Sequence, residues 1–165
     1  MSEIKIMKTK IIILLFIIMS VSIFANQKIY TIKGIPEFDK STAAWALQKF
    51  KYPNAEIVFM DKTNMPPNAV SIDFPGALIE RSGNQTAFEA VIRHLKLKDE
   101  ALNKMIPILR DIEINKWGKK RTAEAPGIIV IHNGFVFGGM NEKQVMEADW
   151  VLIEALYNYF KKTGE

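Results

Sequence analysis

Gln27–Met60, QKIYTIKGIPEFDKSTAAWALQKFKYPNAEIVFM, decides the fold. Gln27 to Lys33 alternates apolar and polar side chains, the period of a half-buried strand. Asp39 then reads as the N-cap of a helix that runs to about Lys51. On that helix Ala43, Ala46, Leu47 and Phe50 follow the i, i+3, i+4, i+7 spacing of one buried stripe. Tyr52-Pro53-Asn54 stops it, and Ala55 to Met60 reads as a second strand. A strand, a helix and a second strand in this order favour parallel pairing. The expectation is an α/β domain, with a small mixed or parallel sheet of about three strands covered by four or five helices.

The rest of the chain extends that opening. Met65-Pro66-Pro67-Asn68 is a loop before a short strand at Ala69 to Ile72. Pro75-Gly76 breaks the strand, and Leu78-Ile79 reads as a continuation at the edge. From Thr86 the period becomes helical, with Phe88, Val91, Ile92 and Leu95 on one face. Thr86 and Glu89 have the spacing of a capping box, and Glu89 with Arg93 that of a solvated i, i+4 pair. The next helix carries Leu102, Met105, Ile106, Leu109 and Ile112 on one stripe, with Pro107 expected to kink or split it. Lys116 to Thr122 is a basic linker that is either solvated or able to hold an anion. Ile128–Phe137 is ambiguous. Asn133-Gly134 suits a hairpin turn, whereas Pro126 and Gly134 suit the two ends of a short helix. A last helix is expected from about Asn141 to Lys161, with Val145, Leu152, Leu156 and Phe160 inward.

Before Gln27 stands a different kind of segment. Lys5, Lys8 and Lys10 lead into the apolar run Ile11–Ala25, which is short for a bilayer crossing and reads as a signal peptide over residues 1–25. Cleavage after Ala25 would start the mature protein at Asn26, in the periplasm or outside the cell. Ile23 is a larger residue than that cut usually has at its −3 position, and retention as an anchor is the other reading. Removing Glu3 and the three lysines lowers the net charge from +4 to +2. A general nucleic-acid surface is therefore disfavoured. The 165 residues, 48% of them hydrophobic and 24% charged, exclude wholesale disorder and suit one domain. With no cysteine there is no disulfide, no thiolate nucleophile and no Cys-based metal cluster.

No phosphate-binding, dinucleotide-binding or nucleophile-elbow motif is present. His94 and His132 lack i+4 histidine partners and read as surface or boundary residues, so neither a metal nor a cofactor is expected. Two acids interrupt apolar faces: Glu113 falls within the Leu102/Ile106/Leu109 stripe, and Asp149 between Val145 and Leu152. Each must pair with a cation, protonate or line a cleft. In the last case either is a candidate general acid or base. Trp45 points away from its helix's stripe, and is covered by a second layer or lines a site or partner surface.

These residues also carry a resemblance. Asp39-Lys40, Ala44-Trp45-Ala46-Leu47, Phe50, Pro53, Ala55 and Phe59 resemble the D-R-x-x-x-x-W-L-I-x-x-F-x-x-P-x-A signature of bacterial chromate-resistance proteins. Phe74-Pro75-Gly76, the stretch Arg81–Glu89, Arg110–Glu113 and Ala155-Leu156-Tyr157 continue in family order. The chain departs from that pattern where it matters chemically. In the family's H-x-G-x-x-C-[ST]-F-[ED] motif the His position is Arg81 and the Cys position Thr86. In its H-D-x-D motif Arg110 and Glu113 replace the His and the second Asp. Guanidiniums do not ligate metal cations as imidazole does, but bind oxyanions and carboxylates bidentately. The resemblance implies that residues 26–165 form a chromate-resistance-like domain, and it favours helix over hairpin at Pro126–Asn133. The expected function is exported, non-enzymatic binding or stress response. The site would be a polar cleft of Asp39, Lys40, Trp45, Arg81, Arg110, Asp111 and Glu113, and the ligand chromate or another small oxyanion. A small periplasmic hydrolase-like enzyme using Glu113 or Asp149, and a protein-interaction module using Trp45, are the alternatives.

Overall fold

The computed structural model describes residues 27–164. The expected signal segment and its cleavage point lie outside them. Three strands pair in parallel in the order β2-β1-β3: β1 (Lys28–Ile32), β2 (Glu56–Met60) and β3 (Val70–Ser71). Tyr30 is the register point, opposite Val58 on one side and Ser71 on the other. The Leu78-Ile79 edge is one bridge, Ile72 to Ile79, also parallel. The pleat turns Ile29 and Thr31 inward, and both are fully buried.

Five α-helices follow: α1 (Phe38–Phe50), α2 (Ala87–Leu95), α3 (Glu100–Glu113), α4 (Glu124–Phe137) and α5 (Glu142–Thr163). Helix α1 is the hub, touching α2, α3 and α5. It is buried on every side from Ser41 to Leu47, so its expected stripe is one part of a wider buried surface. The core joins Ile29, Ile72 and Ile79 from the sheet to Leu47, Phe88, Leu102, Leu109 and Ile153 from the helices.

Several local expectations change. Helix α1 begins at Phe38 with Glu37 at the N-cap, so Asp39 sits in its first turn and its carboxylate serves another helix. Pro107 lies inside α3 without splitting it. The ambiguous segment is helical, and α4 begins two residues before and ends four residues after the expected Pro126–Asn133. Pro126 falls in its first turn, where no N–H is required. Gly134 is internal and accepts from Gly138 N–H, and the left-handed Gly139 ends the helix. In α5 the fully buried line is Val145, Met146, Asp149, Ile153 and Tyr157, with Leu152, Leu156 and Phe160 at its flank. The capping box at Thr86 and Glu89 is present as expected.

Candidate functional site

The first of two adjoining sites is built around the N-terminus of α2. Asp39 is 1% exposed, and its two oxygens accept the N–H groups of Ala87 (2.6 Å) and Phe88 (3.1 Å). Those are orphan donors at the positive end of a helix, where a carboxylate from another element does what a bound anion would do. The α2 capping box adds two bonds, Glu89 N–H to Thr86 Oγ1 and Thr86 N–H to a Glu89 oxygen. That box turns the Glu89 carboxylate back over the helix start and away from Arg93. Arg110 of α3 grips it instead, through Nε (3.0 Å to both oxygens) and Nη2 (2.6 Å). Arg93 bonds Gln85 and Ser82.

Arg81 ties this start to α3. Its Nε meets Asp73 at 2.9 Å, and its Nη1 meets Glu113 at 3.0 Å and lies 4.0 Å from Asp39. Lys40 lies 3.9 Å from Asp73 and 3.4 Å from Glu37. Four carboxylates thus share two cations. Burial pushes the Asp39 carboxyl up to about 7, against the pull of its two backbone donors, and Asp73 and Glu113 push it the same way. Burial also raises Asp73, with Arg81 and Lys40 opposing. Burial would raise Glu89 as well, but the Arg110 bond and the backbone of Thr86 hold it below the usual carboxylate range. Arg81 thus braces Asp39, Asp73 and Glu113 against one another.

The second site lies on the other side of α3. A cavity of about 360 Å³ is lined by Asn84, Arg110, Asp111, Asn115, Arg121 and Thr122. Asp111 is 3% exposed, and its oxygens accept from Asn115 Nδ2, from the N–H groups of Arg121 and Thr122, and from the Thr122 hydroxyl. Burial acts against these donors, which prevail and hold its carboxyl well below the usual range. Lys120 donates to the carbonyls of Asp111, Asn115 and Lys116 at the negative end of α3. The basic linker is thereby folded rather than loose. Arg121 has no carboxylate partner among the described residues, and Nη1 of Arg110 has none either. The cavity wall thus carries two guanidiniums beside the Asp111 carboxylate, which is taken up by its own donors.

The structure brings Asp39, Lys40, Arg81 and Glu113 into one cluster and puts Arg110 and Asp111 beside it. It does not bring Trp45 there. Trp45 is 5% exposed under α5 and donates from Nε1 to Glu154 at 2.9 Å, as expected of a covered residue. It borders an open groove of about 730 Å³ on the α1–α5 face. Asp149 pairs with His132 rather than with an Arg or Lys. Sequence reasoning missed Asp73 and gave Arg121 no role of its own. Asp73 has a left-handed backbone (φ 56°), and its position before Phe74-Pro75-Gly76 was the available turn signal.

No curated protein and no solved structure matches the chain. Residues 31–160 do match the family described as ChrB, C-terminal domain, and at that coverage the chain belongs to this chromate-resistance-associated family.

Proposed function

We propose that this is an exported chromate-response protein that binds a small oxyanion without turning it over. The bound form is held in the Arg110/Arg121 cavity. One observation carries the reading: Arg121 lines that cavity with no ion-pair partner for its guanidinium among the described residues, the Asp111 carboxylate beside it being taken up by Asn115, Thr122 and the backbone, whereas Arg81 pairs with Asp73 and Glu113. A guanidinium pair flanked by Asn84, Asn115 and Thr122 offers forked N–H donors and hydrogen-bonding side chains to a tetrahedral dianion. Export rests on the basic start and the apolar run Ile11–Ala25.

Calorimetric titration with chromate tests the binding. Wild type is expected to bind, and Arg121→Ala to weaken binding at least tenfold. Arg81→Met would lower stability while the folded fraction keeps its affinity. No chromate binding to wild type, or equal binding to Arg121→Ala, would overturn this assignment. Mass spectrometry of protein recovered from cells tests export, which an intact Met1 in the cytosolic fraction would refute.

A further inference from the structure

A third cavity, of about 270 Å³, opens between α1, α3 and α4. We propose that it is a separate binding site for a small organic monocarboxylate, whose carboxylate is received by His132 and Lys116 and whose apolar body lies against Phe38, Ile112 and Ile129. The assignment does not rest on the oxyanion reading above.

His132 is held in place by a group that does nothing else. Asp149 is 0% exposed, and both its oxygens lie 3.0–3.1 Å from Nδ1 of His132, its one hydrogen-bond partner among the described residues. A carboxylate partner makes Nδ1 the N–H donor and fixes the ring orientation. Phe38 packs edge-on against the same ring at 6.1 Å between centroids. The imidazole side chain is 13% exposed and lines the cavity, and with Nδ1 taken by Asp149 its free ring nitrogen is Nε2. A buried acid with a single partner is a costly arrangement. Sequestering it behind a ring that reaches a cavity is the pattern of a positioned recognition group.

The charge around the cavity selects the ligand class. Glu113 is paired with Arg81 at 3.0 Å and Glu37 with Lys40 at 3.4 Å, both cations standing outside the cavity wall. Lys116 is the wall cation with no carboxylate at ion-pair distance among the described residues, although its charge reaches Glu37, and His132 adds Nε2 from a ring whose Nδ1 is held by Asp149. One negative charge matches Lys116. A second would meet the two glutamates, which distinguishes this cavity from the Arg110/Arg121 one. The remaining wall is Phe38, Ile112 and Ile129 with the polar Asn133, and Trp117, 93% exposed, stands at the rim. An apolar lining with a few convergent polar groups suits a small amphipathic molecule.

Calorimetry on the full-length protein tests this with benzoate, its neutral counterpart benzyl alcohol, and the dianion sulfate as probes. Benzoate is expected to bind one-to-one, at least tenfold more tightly than either. Lys116→Ala and His132→Gln should each weaken benzoate at least fivefold and leave chromate unchanged, while Arg121→Ala leaves benzoate unchanged. Benzoate should also move the ¹⁵N resonance of His132 Nε2 and alter Trp117 fluorescence, read in the Trp45→Phe/Trp150→Phe background. Absent benzoate binding, or benzyl alcohol or sulfate binding as tightly, would overturn the proposal. So would wild-type affinity in Lys116→Ala, a change in an exposed linker that keeps the test decisive if His132→Gln fails to fold.

Discussion

At the scale of single residues, Asp39 shows how much of a site depends on contacts distant in the chain. An acid near a helix start is easy to read as a cap, and Asp39 is a cap, but of a helix whose first N–H lies 48 residues further on. Nothing between Asp39 and Ala87 in the sequence signals that pairing. Glu113 was more legible. Its place on an apolar stripe demanded a cation, and Arg81 supplies it at 3.0 Å. Asp39→Ala should leave the Ala87 and Phe88 N–H groups buried without an acceptor, at a cost of about 2–3 kcal/mol. A urea-unfolding midpoint at pH 5 checks this, and an unchanged midpoint would show that water replaces the carboxylate. Arg81→Met should be more damaging, about 3–5 kcal/mol, because three acids lose their shared cation.

At the scale of elements, periodicity was a sound guide where one face is buried and a poor one where none or all are. Helix α2 has a clear apolar face and a capping box, and both stand where the sequence put them. Helix α1 is buried all round, so its start slipped by two residues from the expected cap. Helix α4 is the opposite case. Ile-Ile-Val-Ile has strand propensity, and Ala125 is its only fully buried residue, with Val130 70% and Phe137 85% exposed. Pro126 in the first turn was a sound helix signal, whereas the Gly134 end was not, since the helix stops only at the left-handed Gly139. Strand β1 carries a defect that can be tested. Thr31 is 0% exposed and its hydroxyl has no hydrogen-bond partner among the described residues. Thr31→Val keeps the shape and β-branching while removing the unsatisfied polar group. It should raise stability by about 1 kcal/mol, seen as a higher thermal midpoint at an unchanged urea m-value.

At the scale of the whole molecule, the carboxylates divide into two populations that set opposite limits on stability. Asp39 and Asp73 are raised in the folded state, mainly by burial. Between the ordinary aspartate value of 3.8 and about 7 the folded chain holds a proton on Asp39 that the unfolded chain has released. Stability from this source is therefore complete below about pH 4 and declines as pH rises towards 7. Glu37, Glu89, Asp99, Asp111 and Glu154 are lowered by their partners, although burial opposes each. Their contribution is complete above the ordinary carboxylate range and is lost as acid protonates them. The two trends cross, so unfolding free energy should peak at about pH 5 and fall on both sides. Urea titrations at pH 3, 5 and 8 check the shape, and stability rising steadily from pH 5 to 8 would contradict it. Asp39→Asn identifies the source, since an amide cannot ionise but still offers one acceptor to the α2 N-terminus. In that variant the decline from pH 5 to 8 should shrink to the part due to Asp73, while the acid limb, which belongs to the five lowered acids, stays as in wild type.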